Sequence, residues 1–470
     1  MSTITRRIQK NLIHQAWPIF IASLAGVSFG VLDTMMLGNF NAQSLQVISL
    51  AASIYITVTV SLMGVIHALI PMFSQLFGAN QKTEIGILWG QGIWLAFIIS
   101  LIVGLALLFP DIWLSISGNI AENVKEEIKT YLRITFFAMP ATLMFRAVYA
   151  LCTSTSRPKL IMYINVASIF IKAFFNWVLI FGHLGLPALG SVGAGLSTLI
   201  VSWFTLLFGL WLIFSDTYYH QFSLKLGLPQ WKYCKDILKL GIPMGGSYFV
   251  EISAFTFMAL LAAREGVHVS GAQQIQMNLV ALLYMLPQSI GVATAALSAQ
   301  AIGRQNYIQS HFISLQGLWL GLLGAILTIL VIYFGKPYIV SLYTNDPQVA
   351  IMAASLLSIV PLFHLLDYFQ CDITYILRAH KVATIPFITQ AVLLIGLGLG
   401  GGYYFGYGAG KGELTWLGDI LTPGAAVGVS SLWIMCCAAL LLCGFILSIW
   451  YYIIIQPHLK KSKIGAAALQ

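Results

Sequence analysis

Apolar residues in this chain do not alternate with polar ones. They run on uninterrupted and give way only briefly to polar stretches. Twelve such runs fall at about 16–37, 47–70, 87–109, 131–152, 160–181, 190–214, 239–262, 272–296, 314–334, 350–377, 383–407 and 424–455. All exceed the roughly 18 residues with which a helix begins to span a bilayer. They are too long and too uniformly apolar for the strands of a membrane β-barrel, so each predicts a transmembrane helix. What remains between them is too short to hold a soluble domain. The expected fold is an all-α membrane protein of twelve transmembrane helices.

Composition agrees: 59% of the 470 residues are hydrophobic and 8% are charged, against about 25% charged in soluble proteins. The net charge of +9 would suit nucleic acid, but its placement argues otherwise. With the N-terminus in the cytoplasm, most basic residues, among them Arg6, Arg7, Lys82, Arg157, Lys239, Arg304 and Lys381, fall in cytoplasmic segments. This is the positive-inside bias, so both termini are expected inside, in a cell membrane such as the bacterial inner membrane. The opening MSTITRRIQKNLIHQAWP has no small-residue cleavage site, so no removable signal peptide is expected. The six cysteines have no CxxC spacing and imply neither a disulfide framework nor a zinc site.

The second half of the chain restates the first. KNLIHQAWP at 10–18 aligns with KDILKLGIP at 235–243, an offset of 225 that also brings Gln75 onto Gln300 and Gly78 onto Gly303. Further on, an offset of 221 places Pro140 on Pro361 and Arg157 on Arg378. Six spans per half make the repeat parallel, with a substrate route expected between two six-helix lobes. The expected divisions are an N-terminal lobe over 1–214, a polar linker over 215–238 and a C-terminal lobe over 239–470.

Three carboxylates, Asp33, Glu251 and Asp367, sit deep in these runs. An acid at a bilayer centre costs roughly 2.5–3.5 kcal/mol on insertion scales, so one that persists marks a functional position or a structural partner. Asp372 lies about 140° round the helix from Asp367 and either extends the acidic site or serves a polar contact. His364, one turn before Asp367, is a proton relay or a helix contact. Gln274 and Asn278 share a helix face and either line a cavity or join helices. Arg146, mid-span, needs an acid or carbonyls as partners.

Other motifs carry no chemistry. GVSFG at 26–30 matches the nucleophile-elbow pattern, but it lies within an apolar helix rather than at a strand–turn–helix junction. GLGLGGGYYFG at 396–406 lacks the Lys and Ser/Thr of a phosphate loop, and close packing or a bend explains it better. There is no HExxH, Ser/His constellation or Cys/His cluster, so an enzyme is not expected.

Taken together, GVLDTMMLG at 30–38, KLGIP at 239–243, AQQIQMN at 272–278, YMLPQSIG at 284–291, LDYFQ at 366–370 and ILRAHK at 376–381 resemble the multidrug and toxic compound extrusion (MATE) family, in its NorM-like branch. The resemblance covers nearly the whole chain. It implies an antiporter that expels cationic or amphipathic compounds in exchange for sodium ions or protons by alternating access. It needs no cofactor and is expected as a monomer in the lipid bilayer. Matched residue by residue, Glu251 and Asp367 correspond to acids that hold the coupling cation, sodium included. Asp33 corresponds to an acid of coupling and substrate binding. Tyr284 falls where some members place a ring near the cation, a cation–π position or a packing one. Asp33, Asn176, Gln274 and Asn278 are the expected cavity residues. One departure stands out: Lys172 occupies a place where this branch usually carries Asn, four residues before Asn176. Mid-span, its ammonium needs a partner, and Asp33 is the expected one. The rival readings are a flippase for lipid-linked precursors, from a related two-lobed group, and a passive channel. Four embedded acids against Lys172 and Arg146 favour cationic cargo over a pyrophosphate headgroup.

Overall fold

The computed structural model describes residues 3–111, 121–344 and 346–467. The regular structure among the described residues is all helical. The helices are α1 (Thr3–Phe40), α2 (Ala42–Ile66), α3 (Leu69–Gly78), α4 (Lys82–Leu108), α5 (Glu122–Ser154), α6 (Lys159–Phe181), α7 (Gly190–Ser215), the short α8 (Thr217–His220), α9 (Trp231–Ala262) and α10 (Val267–Gly303). There follow α11 (Tyr307–Tyr343), α12 (Pro347–Leu356), α13 (Val360–Ala379), α14 (Thr384–Gln390), α15 (Gly402–Gly406), α16 (Thr415–Leu421) and α17 (Val427–Ala467). Among the described residues eleven helices are long and apolar enough to span a membrane, and a bent pair makes the twelfth. That pair is α12 and α13, which meet at 45°. Pro361 stands just past the break; it supplies no N–H and disfavours helix in the residue before it. In the eleventh span the glycine-rich stretch is wound as a π-helix over Ala391–Gly401. Beyond it, Gly402 and Gly406 lie against Leu432 and Gly428, so this glycine run serves close packing.

The chain divides into two compact units, Trp17–Gly245 and Met1–Ala16 with Gly246–Gln470. In the first, α5 is central and packs on α2, α3, α4 and α7. Its alanines 138, 141, 147 and 150 are buried and allow close helix approach. The stretch 221–230, within the polar linker, is bound along α4. Gly86 and Gly90 leave no room for a Cβ beneath the carbonyls of Phe222 and Lys225. Gln91 donates to Leu228 O (2.9 Å) and accepts from Gln230 N (2.6 Å), and Trp94 Nε1 donates to Gly227 O (2.9 Å).

In the second unit α13 is central, packed on α10, α11 and α17. Trp433 and Phe363 are buried at the heart of its main apolar cluster, and Ile8 and Leu12 of α1 pack on Ala301 and Ile313.

The repeat is visible in the backbone. Asn80 and Gln305 both have φ of 59°, and Ser156 and Lys381 have 62° and 59°. Each pair closes a helix, and each is separated by 225 residues. The first offset therefore persists where the sequence alignment shifted to 221. Arg157 follows its turn while Arg378 precedes its own, so the two arginines are not equivalent.

Candidate functional site

In the unit Trp17–Gly245, three helices converge on a buried ion pair. Asp33 comes from α1, Lys172 and Asn176 from successive turns of α6, and Ala194 and Thr198 from α7. Lys172 Nζ lies 2.8 Å from Asp33 Oδ1. Asn176 Nδ2 donates to the same oxygen at 2.7 Å. The ammonium also donates to Thr198 Oγ1 (2.8 Å) and to Ala194 O (3.3 Å). An ammonium has three protons, and all three find oxygen here. Lys172 is 1% exposed and Asp33 6%. The structure thus brings Asp33, Lys172 and Asn176 together, and a resident cation fills the acceptor set that a mobile one would use.

The other unit holds its acids differently. Glu251 on α9 is partly buried and Asp367 on α13 is buried. Among the described residues neither has a basic nitrogen within 4.0 Å or a hydrogen bond. Glu251 is within electrostatic reach of Asp367, of Tyr284 on α10 and of Arg378 on α13. Tyr284 receives the Cys371 thiol at 3.9 Å. His364 is buried and its Nε2 has no partner. Asp372 faces Gly291 of α10 and Gly321 of α11.

The amides of α10 divide by face. Gln274 and Asn278 lie on the exposed surface of their unit. Gln273 and Gln276 are buried instead; Gln273 Oε1 accepts from Trp433 Nε1 at 2.8 Å, and both side-chain polar atoms of Gln276 lack partners. Sequence reasoning missed this buried pair because QQIQMN presents amides on both faces of one helix. Arg146 sets its guanidinium 5.9 Å from the Tyr149 ring. Ser28, in the GVSFG stretch, lies mid-helix and donates to Leu24 O (2.9 Å).

Arg378 was also missed. It is buried in the last turn of α13, over the rings of Tyr375 (4.9 Å) and Tyr248 (5.2 Å). Its Nη1 donates to Tyr248 Oη (3.5 Å), which is itself hydrogen-bonded to Tyr375 Oη (2.8 Å). The spacing of Tyr375 and Arg378, one turn apart, was the available signal. Arg157 by contrast is exposed, paired with Asp216 at 2.7 Å and stacked on Tyr218.

This geometry defines a class: a multi-pass membrane protein of two repeated helical units with carboxylates buried in its spans. The MatE family matches residues 18–178 and again 243–404, and the chain belongs to that family. Within it the chain is NorM-like. It is 36% identical over 400 residues to the probable multidrug resistance protein NorM of Neisseria meningitidis serogroup B, covering 83% of this chain and 86% of that protein. It is 31% identical to the multidrug resistance protein NorM of Vibrio vulnificus, over 84% of this chain and 87% of that one. The fold matches the crystal structure of the eukaryotic MATE transporter AtDTX14, with TM-score 0.86, 17% identity and coverage of 98% and 99%.

Proposed function

We propose that the protein is a multidrug efflux antiporter that exports cationic or amphipathic compounds in exchange for protons or sodium ions. The observation that carries this reading is the pair Glu251 and Asp367, membrane-embedded carboxylates without a basic partner within 4.0 Å among the described residues. Such groups stay embedded at tolerable cost only by taking a proton or a cation, and exchanging it couples ion movement to the cycle. Asp33, already neutralised by Lys172, contributes to cargo binding and not to ion exchange. Asn176, Gln274 and Asn278 are proposed as cargo contacts, Tyr284 as a ring beside the coupling cation, and Glu251 and Asp367 as the ligands when that cation is sodium. Cycling is by alternating access, in a bacterial inner membrane, with both termini cytoplasmic and the monomer as working unit.

The test is ethidium transport in inside-out vesicles under separately imposed proton and sodium gradients. Ethidium movement driven by either gradient is the expected result. Ion flux that ignores ethidium under both gradients would instead identify a channel and overturn the proposal.

A further inference from the structure

The connector between α8 and α9 reads as polar in sequence, yet its exposed tip is apolar. Over 223–230 it has no regular structure; Leu226 is 50% exposed, Leu228 82% and, at the start of α9, Trp231 72%. These side chains have no room to fold back onto α4. The carbonyls of Phe222 and Lys225 lie on Gly86 and Gly90, where a Cβ would stand 2.0 and 2.1 Å from them, so the backbone itself fills that side. Both ends are fixed as well. The Phe222 ring is buried beside Phe77 and Tyr219, and Gln91 holds Gln230 N. Between them Gly227 turns the chain at φ 50°, in the left-handed region that favours glycine.

The register of α4 shows what this tip adjoins. Ile98, Leu101, Ile102 and Leu105 are exposed and aliphatic. At about 100° per residue they fall within an arc of about 100°, the lipid-facing stripe of a membrane span. Gln91 and Trp94 fall on the same arc, one to two turns nearer the start of α4. There the connector covers the stripe: Trp94 Nε1 donates to Gly227 O (2.9 Å) and Gln91 Nε2 to Leu228 O (2.9 Å). Gln91 is a buried amide in an apolar span, a costly residue that the connector's backbone accounts for. The tip is thus level with Trp94, four residues and about 6 Å before Ile98. A bilayer's headgroup layer is about 5–7 Å thick on each side. A tip this close to the lipid-facing stripe stands within that layer and not in bulk water.

We infer that the connector is an interfacial lipid anchor: Leu226, Gly227 and Leu228 dip among the phospholipid headgroups to the first methylenes of the acyl chains. The occupant of this apolar surface is the leaflet at the start of α4, cytoplasmic in the orientation proposed above. Trp231 lies where indoles concentrate, at the membrane–water interface. Lys225 and Lys232 are exposed beside it, so their ammonium groups meet phosphate oxygens while their stems lie along the apolar tip. Irregular backbone enters lipid only where protein answers its polar groups. Gln91 and Trp94 answer Gly227, Leu228 and Gln230, and Pro229 has no N–H to answer. The anchor depends on α4 being a membrane span and not on the cargo or the coupling ion.

The test is the depth of a nitroxide label on the protein in phospholipid bilayers. Depth is read from collisions with oxygen, which gathers in lipid, and with a water-soluble nickel chelate. Leu228→Cys carries the label, and the six native cysteines are buried. Ile102→Cys on the exposed stripe and Gln221→Cys on the exposed turn mark lipid and water. The label at Leu228→Cys is expected about 5–10 Å below the phosphates, the depth of interfacial apolar groups, with oxygen favoured over the chelate. Chelate contact equal to that at Gln221→Cys overturns the anchor. So does a label shielded from both agents and broadened by a neighbouring spin, which would put a second copy of the chain on this surface. Gln91→Leu removes the staple and should shift the label at Leu228→Cys into water while Ile102→Cys keeps its depth. Should Gln91→Leu fail to fold, Trp94→Phe, which keeps a ring and drops the donor, is expected to give the same shift. An unchanged depth in the folded variant overturns the role given to α4 in seating the tip.

Discussion

Within Trp17–Gly245, Asp33 meets Lys172 at 2.8 Å and Asn176 at 2.7 Å. In the other unit Glu251, Asp367 and Asp372 meet no basic nitrogen within 4.0 Å among the described residues. The two units share a scaffold and a register of 225 residues, so the contrast lies in chemistry and not in architecture. A carboxylate answered by a resident ammonium is indifferent to the ions outside. One left unanswered is open to a proton or a cation, which is the exchange we propose for this unit.

The strongest way to break this comparison is to remove the unanswered acids. Glu251→Gln and Asp367→Asn should each bring ion-driven ethidium efflux down to that of vesicles lacking the protein, with membrane insertion unchanged. Full efflux in both variants would remove the mechanism. Next in size is the answered acid. Lys172→Met leaves Asp33 buried without a counter-charge, at a cost of about 3–5 kcal/mol, seen as a lower Tm of the purified protein. The double variant Asp33→Asn/Lys172→Met should recover most of that loss. A single variant that melts with the wild type would mean the pair holds nothing together.

Smaller effects sharpen the contrast between the arginines. Arg378→Met removes a guanidinium from two ring faces and should cost about 2 kcal/mol, whereas exposed Arg157→Met should cost about 0.5 kcal/mol. Equal losses in thermal unfolding would count against the aromatic cage. Smallest is a pH effect at His380, just past the end of α13. Burial, reinforced by His458 and His311, holds its imidazole down at about 4. Unfolded histidine titrates near 6.5, so the unfolded chain binds the extra proton between these values. Stability is therefore full above about pH 6.5 and falls as the pH drops toward 4. His380→Gln should flatten that slope, and an unaltered slope would assign it to other groups.

The twelve spans were legible because a bilayer forces long apolar runs, and the structure places a helix, or a bent pair of helices, over each. The acids were legible because an ionisable residue within such a run stands out whatever its surroundings. The contact between Lys172 and Asp33 could be anticipated, since a mid-span ammonium needs an acid and Asp33 is the mid-span acid of the N-terminal half. Less visible was anything that depends on helix rotation. Gln273 and Gln276 differ from Gln274 and Asn278 only in face, and a helix apolar on nearly all sides gives no amphipathic phase to read. Arg378 misled for a related reason: its alignment with Arg157 suggested a loop position, while the turn geometry puts it inside the helix.

The strip 221–230 has one more consequence. Its last residue, Gln230, is stapled to Gln91, and α9 begins at the very next position, Trp231. The connector therefore contributes no slack, unlike a flexible tether, whose reach grows with the square root of its length. Pro18 in α1 and Pro243 in α9 each delete a hydrogen bond from a long helix, and each stands beside a boundary between the two compact units. Lengthening the connector should then change transport little, whereas stiffening either helix by replacing its proline with alanine should slow it.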